Sequence, residues 1–397
     1  MSIARPTVKL LPGGHKRAEQ GYPWLYSNEI QMDRQAKAIA AGTLVRIEAV
    51  SGKPLGVASF NPHALIAARL LDADAGRAID RDFFVARLES ALALRRRLYA
   101  EPFYRLIHAE ADGLPGIVLD RFGDVLVAQL NTAGMSGLEA EFLDACKATL
   151  APHAIVLRTD SVGHRMEGIA ESAARIIHGA LDGPVTLQEN GAQFFADPLT
   201  GQKTGWFYDQ RENRRFMALL ASGGSVLDLY CYTGGFAVAA ALGGAAAVLA
   251  IDGSEPALGL AVQAAQANGV AARCRFLRGE VFAELERRAA SGERFDVVIA
   301  DPPAFVKSRK DLGAGLRGYR KLARLAASVV APGGLLFMAS CSHNVEVESF
   351  AEAVRRGLAD AGRSGRILLS SGASPDHPVH PFLPESAYLK AQSIALD

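Results

Sequence analysis

Apolar and polar positions follow two different rhythms along the 397-residue chain, and the change comes near residue 224. Beyond it, short apolar runs of strand length alternate with longer runs whose apolar residues recur at helical spacing. This alternation predicts a parallel sheet with helices on both faces and ligands at the carboxyl ends of the strands. The predicted strands are 225–230, 246–251, 273–278, 295–300 and 334–340, and the predicted helices are 235–242, 254–267, 280–290, 316–331 and 345–360.

The last apolar runs, 366–370 and 388–396, are predicted to close this sheet as an antiparallel hairpin. Ahead of the sheet, segment 186–208 alternates with aromatic residues and turn glycines, which predicts another hairpin leading into a helix over 210–220. We therefore assign residues 186–397 to one α/β domain.

The N-terminal half is patterned as short strands and few helices. Residues 1–75 hold β-like runs separated by Gly, Pro and Asn turn signals, which predicts a small β-rich domain. Residues 76–185 begin with a helical pattern and continue with a mixture of strands and one helix, which predicts a central α+β domain. The predicted strands are 43–50, 55–60, 65–71, 105–109, 116–120, 125–130 and 155–158, and the predicted helices are 80–100 and 138–150.

Composition is that of a globular protein, with 49% hydrophobic and 21% charged residues. The four cysteines are too few and too scattered for a disulfide framework, and none has CxxC spacing, which predicts a reducing, cytoplasmic setting. The first residues lack the apolar core of a secretory signal. The 23 uncharged residues between Asp228 and Asp252 are long enough to cross a bilayer, but glycine pairs interrupt them, so we expect no membrane span.

Charge is uneven along the chain. Residues 1–105 hold 16 basic against 10 acidic residues, whereas residues 106–397 hold 27 against 32. A basic front on a neutral or acidic remainder is typical of a nucleic-acid-binding module attached to an enzyme. For the run Arg95–Arg97, a solvated helix face is an equally good interpretation.

Two acids and a glycine turn predict a nucleoside cofactor. Asp228 lies on the first strand of the C-terminal domain, and the Gly234–Gly235 turn after it would let a ligand approach the backbone. Asp252 ends the second strand, where a carboxylate can accept both ribose hydroxyls. The GxGxxG turn that holds a pyrophosphate is absent, which argues against a dinucleotide. Adenosine without a pyrophosphate points to S-adenosyl-L-methionine.

A cysteine and an acid at the ends of the fourth and fifth strands predict the chemistry. Asp301 begins an Asp-Pro-Pro motif, and Cys341 stands between two serines. Neighbouring strands would bring both to one pocket, where thiolate attack on C6 activates C5 of cytosine and Asp301 protonates N3. A lone cysteine is more often a small buried hydrophobe, which is how we interpret Cys146, Cys231 and Cys274. No histidine has metal-ligand spacing, so we expect no metal.

These motifs together resemble those of a known family. The chain is similar to the S-adenosylmethionine-dependent methyltransferases that make 5-methylcytidine in large-subunit ribosomal RNA. The family has an N-terminal PUA domain, a central α+β domain and a Rossmann-like class I methyltransferase domain. Beyond the Asp228, Asp301 and Cys341 motifs, the resemblance rests on Gly14–Arg17, Gly21–Trp24, Glu110–Gly116, Glu189–Gly191 and Lys203–Arg211.

The resemblance implies a role for each matching residue. Cys341 would be the nucleophile, Asp301 would assist it, and ribosomal RNA would be the partner, bound through His15, Lys16, Arg17 and Trp24. A homodimer is plausible for this family. The implied cofactor residues are Lys203, Thr204, Gly205, Asp228, Tyr230, Tyr232, Thr233, Gly234, Gly235, Phe236, Asp252, Gly253, Ser254, Glu280, Val281, Asp301 and Pro302.

The chain departs from the family pattern at two positions. Glu280 stands where the family more usually has Asp, which makes an adenine contact there less certain. Pro303 stands where many RNA cytosine methyltransferases carry a second cysteine that helps release the product. Elimination would then need another base, such as water or Asp301.

Three other functions compete with this hypothesis. Guanine N-methylation on the same fold is disfavoured because Ala304 follows the two prolines, where Asn-Pro-Pro-Tyr or a close variant would be expected. A non-catalytic RNA-binding assembly factor would not need the full set of acids and Cys341. A nicotinamide-dependent dehydrogenase would need the missing pyrophosphate turn.

Overall fold

The computed structural model describes residues 4–159, 162–170 and 172–397. The chain forms two compact units, and each is built from separate stretches of sequence. The first unit comprises Met1–Val185, Asp197–Trp206 and Asp376–Pro384, and the second comprises Thr186–Ala196, Phe207–Pro375 and Glu385–Asp397.

The first unit begins with a five-stranded sheet of order β1-β3-β4-β5-β2. Strand β1 runs parallel to β3, and the other neighbours are antiparallel. The predicted strands over 43–71 are confirmed, whereas the two three-residue strands were missed because they are too short to show alternation. The elements are β1 (Thr7–Lys9), α1 (His15–Glu19), β2 (Trp24–Tyr26), α2 (Arg34–Lys37), β3 (Thr43–Glu48), β4 (Pro54–Phe60) and β5 (Ile66–Asp72).

A second five-stranded sheet, of order β10-β9-β8-β7-β6, completes the larger part of this unit. Only β8 and β9 pair in parallel. The long helix before it begins at the Asp80 cap, whose carboxylate accepts the Phe83 N–H at 3.0 Å. The elements are α3 (Arg81–Leu98), β6 (Phe103–His108), β7 (Ile117–Phe122), β8 (Val125–Leu130), α4 (Ala133–Gly137), α5 (Glu139–Leu150), β9 (Ala154–Arg158), α6 (Val162–Glu167) and β10 (Arg175–His178).

Arg95 is the buried centre of a polar network in the first unit, and neither sequence interpretation of the Arg95–Arg97 run foresaw this. Its side chain is fully buried and forms two 2.7 Å bonds to the carboxylate of Asp112. It also donates to the carbonyls of Arg105 at 2.9 Å and Asp376 at 3.1 Å. The network therefore holds segment Asp376–Pro384 in this unit, whereas Arg96 and Arg97 are exposed.

The second unit contains the predicted α/β sheet. Seven strands lie in the order β15-β14-β13-β16-β17-β19-β18, with the first five parallel and β19 antiparallel to both of its neighbours. The doubly wound architecture and its antiparallel closing hairpin are confirmed. The elements are α7 (Arg211–Leu220), β13 (Ser225–Leu229), α8 (Gly235–Leu242), β14 (Ala247–Asp252), α9 (Glu255–Ala267), β15 (Cys274–Arg278), α10 (Val281–Ser291), β16 (Phe295–Ala300), α11 (Leu312–Ser328), β17 (Val330–Ser340), α12 (Val347–Asp360), β18 (Gly365–Ser371) and β19 (Lys390–Leu396).

The hairpin predicted over 186–208 is shorter than expected. Its strands are β11 (Val185–Glu189) and β12 (Ala192–Ala196), and residues 197–206 belong to the first unit without forming a strand. The prediction extended too far because the pattern of aromatic residues and turn glycines continues into 197–206, where the chain does not form a strand. Glu189 is buried in the second unit, where it bonds Arg214 at 2.6 and 2.9 Å.

Replacing Arg95 with methionine should lower the free energy of unfolding by about 3–5 kcal/mol, because the Asp112 carboxylate would stay buried without its cation. Urea denaturation measures this change. The matched control is Arg96→Met, an exposed neighbour whose loss should change stability by less than about 0.5 kcal/mol. Equal effects of the two substitutions would contradict the assignment of Arg95 to the structural core.

Candidate active site

The turn between β13 and α8 has an unusual backbone. Tyr230, Tyr232 and Gly234 all have positive φ angles, of 62°, 49° and 82°. At Gly234, an added Cβ would lie 2.9 Å from the Cβ of Ala261, so glycine is required both for its φ and for its lack of a side chain. Positive φ at two tyrosines is costly and persists only where neighbouring contacts compensate for it.

Asp252 supplies those contacts from the end of β14. One carboxylate oxygen accepts the Tyr232 N–H at 2.9 Å, and the other accepts the Ser254 N–H at 2.8 Å. The Cys231 N–H adds a 3.1 Å bond to the carbonyl of Ile251. Because each carboxylate oxygen can accept more than one hydrogen bond, Asp252 can hold the turn and still accept ribose hydroxyls.

Asp228 is a buried carboxyl group at the centre of the sheet. Only 1% of the residue is exposed, and within the described residues its carboxylate interacts with the Ala237 N–H but makes no hydrogen bond of full geometry. Burial raises its pKa well above the ordinary value, and the nearby negative charges of Asp301 and Asp252 raise it further. A buried acceptor of this kind suits a cationic or hydrogen-bond-donating ligand group, so Asp228 fits an adenosine cofactor that carries a free amino group.

Tyr230 and Glu280 lie on the same side of this cluster. Burial raises the pKa of the Tyr230 hydroxyl, and the charges of Glu280 and Asp252 add to the effect, so Tyr230 remains a neutral donor. Glu280 caps α10 by accepting the Ala283 N–H at 2.9 Å. The capping role explains why an acid stands there, and its second oxygen can still face a ligand. Val281 is buried in the core.

Some of the other predicted cofactor residues are buried in the core, and others are exposed. Thr233 is buried, and its hydroxyl has no partner within the described residues. Phe236 is buried against Phe337, with ring centroids 5.2 Å apart. A Cβ on Gly253 would meet nothing within 4 Å, which leaves space beside Asp252.

Lys203, Thr204 and Gly205 belong to the first unit, whereas the other predicted cofactor residues belong to the second. The Thr204 hydroxyl is fully buried and donates a short hydrogen bond to Asp120, whose carboxylate also binds Arg105 at 2.7 Å. The Thr204 side chain is therefore occupied by a structural contact. Lys203 has a positive φ of 48°.

Cys341 follows β17 and is the half-buried residue of a Ser-Cys-Ser triplet. The two serines, Ser340 and Ser342, are buried and bind the Tyr319 hydroxyl, each at 2.8 Å. Ser342 also accepts the Val306 N–H at 3.2 Å. This hydroxyl network fixes the backbone on both sides of the thiol and leaves Cys341 partly accessible.

Of the other cysteines, Cys146 and Cys231 are buried, whereas Cys274 is half-buried like Cys341. Burial raises the pKa of Cys146 and of Cys231, and it raises that of Cys274 to about 11. All three therefore stay protonated at neutral pH, as expected of structural thiols.

Asp301 and Cys341 leave the sheet at the same edge. Strands β16 and β17 pair in parallel, with Ala300 opposite Met338, so both chains end beside one another. Asp301 is half-buried, Pro302 is buried and Pro303 is exposed. The negative charge of Asp301 also raises the pKa of Asp228, so the two carboxyl groups act on one another electrostatically.

Sequence reasoning missed two residues of this region, Tyr319 and Lys390. Tyr319 is a fully buried tyrosine on α11, and burial raises the pKa of its hydroxyl. Lys390 begins β19 and donates to the carbonyls of Ser342 at 2.7 Å and Val345 at 2.6 Å. A lysine near the start of the mainly apolar run 388–396 was the available signal, but its cross-strand partner could not be known.

The predicted RNA-binding residues lie in the first sheet region of the first unit. Lys16 is exposed on α1, and Arg17 lies 3.6 Å from the centre of the Tyr22 ring and 3.3 Å from Glu29. The Trp24 indole N–H donates to Glu110 at 2.7 Å. Trp24 is thus held by its own unit, and only the exposed part of its ring is available to a base.

The described residues contain neither a metal-binding cluster nor a membrane-spanning helix. Across 4–159, 162–170 and 172–397, no group of three or more His, Cys, Asp or Glu side chains is arranged to hold a metal ion. Over the same residues, no helix combines the length and hydropathy needed to cross a membrane.

A family model described as S-adenosylmethionine-dependent methyltransferase matches residues 137–357, more than half of the chain. The chain belongs to the S-adenosylmethionine-dependent methyltransferase family. A second model, described as a PUA-like domain, matches residues 8–73. The predicted fold class, enzyme class and cofactor are thereby confirmed, and the dehydrogenase interpretation is wrong.

Relatives of this methyltransferase cover nearly its whole length. Ribosomal RNA large subunit methyltransferase I of Shewanella denitrificans is 36% identical over 388 residues, 96% of this chain and 97% of that protein. A solved structure from Streptococcus mutans, described as a SAM-dependent methyltransferase, has a TM-score of 0.82 at 21% identity, covering 98% of this chain and 100% of that one. A further structure, described as a methyltransferase in complex with SAH, has a TM-score of 0.84 at 20% identity, with 99% and 100% covered.

Replacing Gly234 with alanine should strain the methyltransferase at its cofactor turn, because the new Cβ meets Ala261 and φ is positive. We expect the unfolding free energy to fall by about 1–2 kcal/mol, with weaker binding of S-adenosylhomocysteine in calorimetric titration. Gly259→Ala is the matched control, since a Cβ there meets nothing within 4 Å. It should leave binding unchanged and stability unchanged or raised. Normal binding by Gly234→Ala would overturn the role of this turn.

Replacing Asp228 with asparagine should have opposite effects on stability and binding. The raised pKa of the folded-state carboxyl means that Asp228 favours folding below the pKa of the unfolded chain and loses that contribution as pH rises through the folded value. The neutral amide of Asp228→Asn avoids the buried charge, so the variant should gain stability in urea at pH 8 relative to the parent, and less at pH 4. Cofactor affinity should fall roughly tenfold to hundredfold if the carboxylate bonds a charged group. A variant that loses stability at pH 8 would contradict the buried-charge account.

Proposed function

We propose that this methyltransferase forms 5-methylcytidine in large-subunit ribosomal RNA, with Cys341 as the nucleophile. The observation that carries the proposal is the partly accessible Cys341, held by the buried Ser340–Tyr319–Ser342 hydroxyls at the sheet edge where Asp301 also emerges. A thiol beside a carboxyl group is what C5 methylation of cytosine needs and N-methylation does not. The names of the full-length relatives supply the RNA class.

The covalent step activates a carbon that is otherwise a poor nucleophile. The Cys341 thiolate forms a bond to C6, and N3 accepts a proton from the carboxyl group of Asp301, so that electron density moves to C5. S-adenosyl-L-methionine supplies the methyl group that C5 takes. A base then removes the C5 proton, the C6–sulfur bond breaks to return the thiolate, and N3 gives back the proton that it accepted. Because Pro303 stands where a second cysteine would be, that base is water or the Asp301 carboxylate.

The cofactor residues are assigned on the same proposal. Asp228 accepts the amino group of the methionine part, Asp252 accepts the ribose hydroxyls, and the turn around Gly234 gives the ligand a close backbone approach. The buried oxygens of Asp228 and the two spare acceptor positions of Asp252 support this assignment. The resemblance adds Lys203, Gly205, Glu280 and Pro302 to it.

The N-terminal domain is proposed to hold the RNA. The PUA-like match over residues 8–73 and the basic excess of residues 1–105 support an RNA-binding role. Exposed Lys16 on α1, with His15 and Arg17 beside it, would contact phosphates. On this proposal the domains are 1–75, 76–185 and 186–397. A cytoplasmic location and a homodimer remain predictions.

Cys341→Ala should abolish methyl transfer to large-subunit rRNA stripped of modifications, because alanine has no thiol to attack C6. The measurement uses labelled S-adenosylmethionine and identifies the labelled nucleoside after digestion. Wild-type enzyme should yield 5-methylcytidine, and Cys274→Ala, a half-buried cysteine in the same unit, should retain full activity.

Two results would refute the proposal. Label in a guanosine would show N-methylation by the same fold, and full activity of Cys341→Ala would eliminate the covalent route. Binding of S-adenosylhomocysteine by each variant shows whether the cofactor pocket is intact, so that a folding defect is recognised.

A further inference from the structure

Lys390 is a buried lysine on the strand that pairs with β17, which ends just before the proposed nucleophile. It is 5% exposed, and in the antiparallel pairing of β17 with β19 it lies opposite Ser340, the residue before Cys341. Burying an ammonium group is costly unless it is hydrogen-bonded and its charge is offset. Such a residue in a strand whose other members are almost all buried therefore calls for a physical reason.

Its hydrogen bonds all go to the turn that follows Cys341. The ammonium group donates to the carbonyl of Ser342 at 2.7 Å and to that of Val345 at 2.6 Å. The same two residues are joined by a 3.2 Å backbone bond from the Val345 N–H to the Ser342 carbonyl. Lys390 thus bridges the two ends of the turn and determines the direction in which the chain leaves Cys341.

These contacts offset the polarity of Lys390 but not its charge. Carbonyl oxygens carry no net charge, and no carboxylate lies within 4.0 Å of the ammonium group among the described residues. Burial lowers the pKa of Lys390, and the charges of Cys341 and then Glu346 raise it. Since Glu346 is exposed, the Cys341 thiolate is the anion best placed to complete the pair.

We propose that Lys390 is a positioning residue for the nucleophile: its ammonium group fixes the turn after Cys341 and stabilises the thiolate form of that cysteine. The inference rests on the proposed function, because it gives Lys390 a purpose only if Cys341 reacts as a thiolate. The hydroxyls of Ser340, Ser342 and Tyr319 complement it by orienting the backbone without adding charge.

Other titratable groups around Cys341 act in different ways. Tyr319 on α11 stays neutral, because burial raises its pKa. His343 is exposed two residues beyond Cys341 and stacks on Tyr388, with ring centroids 5.1 Å apart. Asp301, at the end of the neighbouring strand, would disfavour a thiolate when ionised. Lys390 is the cation that opposes this effect.

The test is the pH dependence of Cys341 alkylation by iodoacetamide, followed by mass spectrometry of the Cys341 peptide in the full-length protein. Only the thiolate reacts, so the midpoint of the rate profile reports the pKa of this thiol. In Lys390→Met the midpoint should rise by about one pH unit, and the rate at pH 7 should fall about tenfold. The rate at the alkaline limit should stay near that of the parent.

Three further variants separate charge from structure. Lys390→Gln keeps an N–H donor for the turn but has no charge, and it should shift the midpoint as Lys390→Met does. Lys390→Arg keeps the charge and should restore the parent profile. Lys321→Met removes an equally charged but exposed side chain of the same unit and should leave the profile unchanged. If the Met variant does not bind S-adenosylhomocysteine, the Gln and Arg variants carry the comparison.

A midpoint in Lys390→Gln equal to that of the parent would overturn the proposal, because the charge would then have no effect on the thiol. This result is distinct from failure of the proposed function. If Cys341→Ala still methylates RNA, the nucleophile assignment fails whatever the alkylation profile shows. If Cys341→Ala is inactive and the profile does not respond to Lys390, only the role of Lys390 fails.

Discussion

Parallel pairing of β13 with β14 and β16, and of β16 with β17, is the constraint on which the candidate site depends. Strands in parallel register end at one edge, so residues separated by more than a hundred positions in sequence emerge together. Asp228, Asp252, Asp301 and Cys341 are brought to that edge by backbone hydrogen bonds alone. Their side chains then interact because the strand order places them close together. The electrostatics of the site therefore follows from the topology of the sheet.

That electrostatics is unfavourable in the protein alone. Asp228 is buried near Asp252 and Asp301, and its pKa is raised first by burial and then by the negative charge of these neighbours. Part of the cost of concentrating negative charge there is offset where Asp252 bonds the backbone of the turn, since those N–H groups would otherwise be unpaired. The rest of this cost can be offset by a bound ligand. A ligand donor gains more binding free energy from an unsatisfied acceptor than from one already bonded to the protein.

Sequence reasoning succeeded where the signal is local. Strand β16 has the predicted bounds, 295–300, because its residues 297–300 form a continuous apolar run bounded by Asp296 and Asp301. Strand β17 begins at Val330, four residues before its prediction, and its first two residues were assigned to the preceding helix, predicted over 316–331. The structure accommodates residues 332–334 at a register shift against Phe295 and Val297 of β16. Turn-forming residues can be assigned to a strand only once the partner strand and its register are known.

What sequence could not give is the set of contacts between distant residues. The helical pattern that predicts α3 gives no sign that Arg95 turns inward to meet Asp112 and the carbonyl of Asp376, while Arg96 and Arg97 face solvent. The same holds at the active site, where the register of β19 against β17 decides that Lys390 lies across from Ser340. A shift of one residue would send the lysine to the opposite face of the sheet. The insertion of β19 between β17 and β18, with β18 at the edge, protects that register by pairing both sides of the strand. The C-terminal hairpin therefore holds Lys390 in register with the strand that ends just before Cys341. In this way β19, which lies outside the cofactor-binding half of the sheet, contacts the turn that follows the proposed nucleophile.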